Sequence, residues 1–183
     1  MLLSSLTSTQ QELQQILLLQ EENLVKHIDE TEMKSQGFVT LRHDLTTLEQ
    51  MHNLAPSVII KDNDTVVAYA LTMLTECRKL IPDLEPMFAL FDNLSWNGKY
   101  FNDHSFYVMG QICVAKAYRG QGLFDELYKH HKQIYNRQFD LIITEIATRN
   151  RRSIRAHERV GFKTIHTHQD QLDEWAVVGW DWN

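Results

Sequence analysis

Cysteine, proline and glycine are all scarce in this chain of 183 residues, which holds two, three and seven of them. Cys77 and Cys113 provide neither a disulfide framework nor a CxxC or Cys/His metal site, so a reducing, cytoplasmic compartment is expected. So little proline and glycine, beside 43% hydrophobic residues, excludes disordered and collagen-like proteins. A chain of this length can bury a core without disulfides or metals, and we expect a single domain over residues 1–183.

Long apolar runs are also missing. Residues 16–19 and 141–143 are among the longest and are far too short to cross a bilayer, and no secretory signal opens the chain, so we expect no membrane partner. The net charge of -6 argues against a general nucleic-acid binder. The charge is uneven, however, because residues 149–163 carry six basic residues and one acidic residue. This basic cluster suits an anionic ligand, although a solvated charged helix has the same pattern.

The hydrophobic pattern predicts an α/β protein with a mixed sheet. Thr9 followed by Glu12 is a capping box that starts a helix, and Asp44 is a suitable N-cap for a second one. Residues 38–41 form a short β-like run, and a hairpin is expected around Asn63. The later elements are predicted as strand 106–114, helix 122–137, strand 141–147, helix 150–160, and an antiparallel pair of strands, 162–166 and 175–182.

A turn with two glycines joins strand 106–114 to the helix that follows it. The turn contains Arg119, Gly120, Gln121 and Gly122. Glycines let backbone N–H groups converge on a ligand, and the positive end of the helix dipole favours a phosphate. Arg119 adds a permanent charge with a planar fork of donors. The turn matches neither a Walker A loop nor a dinucleotide-binding motif, and on these residues alone a plain tight turn is an equally good interpretation.

Two segments resemble the Gcn5-related N-acetyltransferase (GNAT) superfamily. Residues 114–122 read Val-Ala-Lys-Ala-Tyr-Arg-Gly-Gln-Gly, which is similar to the acetyl-CoA signature of that superfamily. Downstream, Asn150, Ser153, His157 and the pair Gly161-Phe162 resemble its segment of Asn, small residue, Tyr and Gly-Phe. The two motifs occur in the family's order on the expected elements, and the resemblance covers roughly residues 105–182.

The resemblance implies the acyl-CoA N-acyltransferase (GNAT) fold, a mixed twisted sheet whose two central parallel strands, 106–114 and 141–147, splay apart between flanking helices. Acetyl-CoA, as cosubstrate and without a metal, would enter that opening. The pantetheine amides would pair with the main chain of Ile112 and Val114, and Asn150 would contact the cofactor. The pyrophosphate would lie on the amides of the turn and first helical residues, namely Arg119, Gly120, Gln121, Gly122, Leu123 and Phe124.

The chemistry requires a base, because a lysine-like amine with a pKa near 10.4 is protonated at neutral pH. Glu145 is similar to the base of the superfamily's protein N-terminal acetyltransferases, and its alternative role is an ion pair with a nearby arginine. His157 stands where the family has the Tyr that protonates the leaving thiolate, and its alternative role is plain packing. Phe124 replaces a usual Gly or Ala, so its ring either packs inward or crowds the cofactor.

The expected activity is acetyl transfer from acetyl-CoA to a primary amine of a small cationic molecule or peptide, by direct attack in a ternary complex. Residues 80–104 and the first helices are expected to form the acceptor side, and the four acidic residues and one basic residue of 80–104 favour a cationic acceptor. The alternative is a catalytically weak acyl-CoA sensor or docking module. A third hypothesis is an α/β domain that binds another phosphorylated ligand. A homodimer is left open.

Overall fold

A seven-stranded mixed sheet organises the computed structural model, which describes residues 1–28 and 37–182. The strand order is β1-β2-β3-β6-β7-β9-β8, and a separate hairpin contains β4 and β5. The strands are β1 (Leu2–Leu6), β2 (Val58–Asp62), β3 (Thr65–Met73), β4 (Ser95–Trp96), β5 (Lys99–Tyr100), β6 (Phe106–Val114), β7 (Leu141–Ala147), β8 (Lys163–Gln169) and β9 (Glu174–Asp181). The predicted α/β mixed sheet and its C-terminal antiparallel pair are confirmed.

Within the described residues, five α-helices pack on the two faces of the sheet. They are α1 (Gln10–Glu22), α2 (Leu45–Leu54), α3 (Glu85–Phe91), α4 (Leu123–Tyr135) and α5 (Arg151–Val160), with short 3-10 turns between other elements. The predicted caps are present: Thr9 and Glu12 form the capping box of α1, and the Asp44 side chain accepts from the Thr47 amide. Side chains alternate across each strand, so Val108 and Ile143 face the core beside α1 to α3, whereas their neighbours face α4 and α5.

The centre of the sheet splits between β6 and β7, the one parallel pair among the described strands. Their pairing ends at Val108 with Ile143, although β6 continues to Val114. A β-bulge bends β6 at this point, because three steps from Met109 to Ile112 oppose two steps on β3. The Thr144 hydroxyl donates to the Met109 carbonyl at 2.8 Å, where the ladder has already stopped. The predicted splay of the central strands is therefore confirmed.

Other elements differ from the predictions. Strand β1 was not predicted, and among the described residues the run 38–41 contributes a single bridge, from Val39 to Leu24, rather than a strand. The segment 80–104 lies at the wrong end of the sheet for an acceptor site. The segment follows β3, whose last residue pairs with Val108, and it ends just before Phe106, the first residue of β6. Within the segment, the Asn97 side chain donates to Asp181 at the end of β9, at 3.0 Å. The expectation that this segment forms the acceptor side was therefore wrong, because the split opens at the other end of β6.

Candidate active site

The turn before α4 has the geometry of an anion-binding loop. Gly120 and Gly122 have φ values of +79° and +80°, a left-handed conformation that favours glycine. A side chain added at either position would meet nothing within 4 Å, so the space above the turn is open. The first amides of α4, from Leu123 and Phe124, have no acceptor within the helix. They point with the positive end of the helix dipole toward this space.

A cavity of about 450 Å³ joins this turn to the split in the sheet. Its walls are the last residues of β6, the turn, the first two turns of α5, and the segment 37–39. Ala115 donates its amide to Val67 on β3 at 2.9 Å. Because successive main-chain groups of a strand point to opposite sides, the amides of Val114 and Ile112 point away from β3, toward the split.

Arg119 is half-buried and connects the turn to two other elements. Its Nε donates to the Val114 carbonyl at 3.2 Å, and its Nη2 donates to Oδ1 of Asn23, at the end of α1, at 2.5 Å. The side chain still lines the cavity. Arg119 therefore fixes the shape of the turn while it keeps a positive charge beside it. Gln121, by contrast, is exposed and donates to the Ala117 carbonyl.

Three further arginines, Arg152, Arg155 and Arg159, project from α5 into the wall of the cavity. Arg159 is paired with Asp125 on α4 at 2.5 Å, so its charge is largely compensated. Arg155 is exposed, and no ion pair of its guanidinium is found within the described parts of the chain. The basic cluster predicted from the sequence thus lies on one side of the cavity, where it raises the local potential for an anion.

Asn150 is buried at the N-terminus of α5. Its Oδ1 accepts from the Ser153 amide at 3.3 Å, and its Nδ2 donates to the Phe38 carbonyl at 3.2 Å. Both ends of the amide are therefore used by the protein itself. Asn150 holds the segment 37–39 against the cavity, and it contributes to the cavity wall.

His157 lies in an aromatic cluster and is fully enclosed. Its Nδ1 is 2.8 Å from the Ser153 carbonyl, which can only accept, so Nδ1 carries the hydrogen. The Tyr128 hydroxyl therefore donates to Nε2 at 2.7 Å. Burial lowers the pKa of His157 to about 4, so the ring is neutral at physiological pH. The Phe124 ring packs on both residues, with centroids 5.0 Å from His157 and 5.2 Å from Tyr128, and also borders the cavity.

Glu145 faces away from that cluster, on the sheet face of α1 to α3. Its Oε1 lies 2.7 Å from Nε2 of His168 on β8. Burial raises the pKa of the Glu145 carboxyl, and the hydrogen bond from His168 opposes that rise. The partner of Glu145 is thus a histidine rather than the arginine considered from the sequence. His168 was missed because its contact depends on the register of β8, which no local pattern reveals.

A buried polar network borders the split on the same face, and no local sequence pattern indicates it. Gln20 of α1 donates to Gln111 of β6 at 2.7 Å, and the Tyr69 hydroxyl donates to the same oxygen at 2.6 Å. Gln20 also contacts Nδ1 of His43 at 2.9 Å. Gln111 and Glu145 follow the last paired residues of β6 and β7, so they flank the opening from opposite sides.

The described part of the chain was expected to hold no metal site, and both of its cysteines are buried. No group of three or more His, Cys, Asp or Glu side chains is assembled there to hold a metal ion. Cys113 is buried on the face opposite Ile112 and Val114, and burial raises its pKa to about 12. Burial likewise raises the pKa of Cys77 to about 11. Among the same residues, no helix is long and apolar enough to span a membrane.

The fold is shared with solved acetyltransferases. The ribosomal-protein-S18-alanine N-acetyltransferase from Escherichia coli has a TM-score of 0.66 and 13% identity, over 99% of this chain and 94% of that one. The protein yncA from Salmonella typhimurium, solved with its cofactor acetyl-CoA, has a TM-score of 0.63 and 15% identity, over 100% and 94%. A chimera of the spermidine N-acetyltransferase SpeG from Vibrio cholerae has a TM-score of 0.61 and 12% identity, over 99% and 95%.

Sequence comparisons identify the family. A search of curated proteins found no match. The model of the acetyltransferase (GNAT) family, however, matches residues 22–162, which include the turn, the split strands and α5. The resemblance stated from the two motifs is therefore confirmed. The chain belongs to the GNAT acetyltransferase family and is an acetyl-CoA-dependent N-acetyltransferase.

Proposed function

We propose that the chain acts as a single catalytic domain that acetylates a primary amine of a small cationic molecule or peptide, by direct attack within a ternary complex. The observation that carries this proposal is the cavity that runs from the open turn to the split in the sheet. Glu145 and the polar network of Gln20, His43, Tyr69 and Gln111 lie on the other face of that split. Two substrates can thus approach one point from opposite faces.

The residues around the turn fit acetyl-CoA, whose thioester carbonyl is the group that the amine attacks. The amides from Arg119 to Phe124 would hold the pyrophosphate, because the turn is open and lies at a helix N-terminus. The exposed charge of Arg155 supports a further phosphate contact. The outward amides of Ile112 and Val114 would pair with the pantetheine. The Val114 carbonyl already accepts from Arg119, and its amide is the group proposed to pair with the pantetheine.

Glu145 is proposed as the base. It stands beside the opening, its carboxyl has a raised pKa, and a base works best when its pKa approaches the operating pH. The remaining catalytic effect would come from holding the amine near the carbonyl and from a backbone amide near Val114, which can stabilise the developing oxyanion.

The proposed acid, His157, remains a prediction. Both ring nitrogens already have partners in Ser153 and Tyr128, and the ring is neutral, which supports a structural role. A strong acid is not essential here, because a free thiol has a pKa near 8.5 and its anion is a good leaving group. Asn150 is proposed to act on the cofactor mainly by holding the segment 37–39 in the cavity wall.

The acceptor is the least constrained part of the proposal. The similar structures include one whose name specifies a protein alanine and one whose name specifies spermidine, and both carry the amine class proposed here. The acidic segment 80–104 no longer supports a cationic acceptor, since it lies away from the split and Arg78 pairs with Glu85 and Asp92. Glu145 and Asp170 still give the acceptor side negative charge.

Amine-dependent release of CoA thiol tests the proposed function. Purified protein and acetyl-CoA would be incubated with spermidine, glucosamine and short peptides with free or blocked N-termini, and free thiol would be measured. We expect release with at least one free amine and none with its blocked form. Binding of acetyl-CoA without release from any amine would favour the sensor alternative.

A further inference from the structure

The contact between Glu145 and His168 spans three strands. Glu145 on β7 pairs with Val177 on β9, and Val177 pairs with His166 on β8. His168, the next residue on that face of β8, reaches past β9 to the carboxylate. Only 13% of the Glu145 side chain and 26% of the His168 side chain are exposed. The pair is thus held by sheet register rather than by two flexible surface side chains.

Few other charged groups face the pair. Asp170, just after β8, acts on the carboxyl through its negative charge. The ring of His166 stacks on His168 with centroids 6.3 Å apart, and it makes no hydrogen bond to Glu145. The positions of β9 between the strands carry Trp175 and Val177, which do not titrate. Across the split, Gln111 presents a neutral amide.

We propose that His168 is a positioning residue for the base Glu145, holding Oε1 through its Nε2 hydrogen so that Oε2 takes the proton of the acceptor amine. This inference rests on the proposed function, in which Glu145 is the base. In that step an N–H bond of the ammonium breaks and an O–H bond forms at Oε2, directly or through one water. The electron pair left on nitrogen then forms the bond to the thioester carbonyl carbon, the C–S bond breaks as the CoA thiolate leaves, and the thiolate takes up the second proton that the nitrogen loses. No hydrogen bond or ion pair of Oε2 is found among the residues that the structure describes.

His168 also keeps the carboxylate ionised. Burial alone raises the pKa of Glu145, and a base that binds its own proton too tightly is inactive at neutral pH. A hydrogen bond to the charged form lowers the pKa of a carboxyl. Removal of His168 therefore leaves the burial effect unopposed, and the pKa of Glu145 rises further.

The first test is the pH profile of kcat/KM. In His168→Ala the acidic limb should move upward by about one pH unit, so activity on that limb falls about tenfold while the plateau changes less. His168→Gln places an amide donor at similar reach and should restore most of the shift. His166→Ala removes the neighbouring ring without touching Glu145, and its limb should match the wild type. A limb that stays in place in His168→Ala, in a variant with unchanged melting temperature, overturns the proposal.

The second test does not require turnover. The side-chain carboxyl of Glu145 would be titrated by ¹³C NMR, with its signal assigned by its loss in Glu145→Gln. Its pKa should be higher in His168→Ala than in the wild type, and nearly restored in His168→Gln. Equal values in wild type and His168→Ala overturn the inference. If the pKa shift of Glu145 is present but no amine releases CoA, the proposed function is wrong, while the effect of His168 on Glu145 is confirmed. If Glu145→Gln abolishes turnover but His168→Ala changes neither the pH profile nor the NMR titration, Glu145 is still supported as the base and the positioning role of His168 is wrong.

Discussion

Replacement of Arg119 by alanine should lower both the stability of the free protein and its affinity for acetyl-CoA. Among its contacts within residues 1–28 and 37–182, the guanidinium donates to the Val114 carbonyl and to Asn23. Hydrogen bonds of a charged group contribute about 1.5–3 kcal/mol when buried, and the site is half-buried, so we expect a loss of about 2 kcal/mol. For a chain of this size that lowers Tm by roughly 4–8 °C.

The effect on acetyl-CoA is separate and can be measured in the same assay. A ligand at one hundred times its Kd stabilises the wild type by about 2.7 kcal/mol, which is a Tm increase of roughly 5–11 °C. Loss of the Arg119 charge beside the turn should weaken binding about tenfold. At the same concentration the stabilisation then falls to about 1.4 kcal/mol, a Tm increase of roughly 3–6 °C.

Two matched variants separate these effects in thermal unfolding with and without acetyl-CoA. Arg155→Ala removes an exposed cavity arginine, so it should reduce the ligand-induced shift and leave the Tm of the free protein unchanged. Arg137→Ala removes an exposed arginine outside the cavity and should change neither. If Arg119→Ala lowers Tm but keeps the full ligand-induced shift, Arg119 only shapes the turn. That result would refute its proposed contact with the cofactor.

Three other predictions concern the site and its support. Glu145→Gln should lower kcat at least tenfold with the acetyl-CoA Kd unchanged, and an unchanged pH profile of turnover would discard Glu145 as the base. Tyr128→Phe should reduce the free energy of unfolding by about 1–3 kcal/mol in denaturant titrations, because it leaves Nε2 of His157 buried without a donor. A change below about 0.5 kcal/mol would contradict this expectation. Burial lowers the pKa of His43 and His157 to about 4 and of His131 to about 3. Their contribution to stability is complete above pH 6.5 and is lost as the pH falls toward those values, by up to about 1.4 kcal/mol per pH unit for each histidine. Tm measured from pH 7 to 5 should fall accordingly, and less steeply in His131→Phe; a flat curve would contradict it.

Strands β6 and β7 could be predicted to the residue because each is an apolar run bounded by polar turns. The caps of α1 and α2 were also visible, since capping depends on residues within one turn of the helix. Strand β1 could not be recognised, because its five residues show no alternation and their pairing is supplied by β2, more than fifty positions away. The elements with a clear local pattern could therefore be predicted, whereas the edge strand β1 could not, because it depends on pairing with a distant part of the chain.

The candidate site divides in the same way. The turn could be located because Arg119, Gly120 and Gly122 are adjacent and form a known motif. The partners could not: Asn23 lies 96 positions from Arg119, and His168 meets Glu145 only after a register shift near residue 165 of β8. The acidic segment 80–104 was misplaced because charge along the chain carries no information about which end of a sheet it occupies.

The split between β6 and β7 gives the protein two strand edges inside its own structure. Exposed edges at the rim of a sheet invite other chains to add to them and aggregate. Here the edge of β6 opens into a cavity that residues 37–39 and α5 wall, so another polypeptide strand has little access. A narrow ligand with amide groups can still form hydrogen bonds along this edge of β6, in the place where a further strand would pair. Hydrogen exchange at the Ile112 and Val114 amides should therefore slow when such a ligand binds.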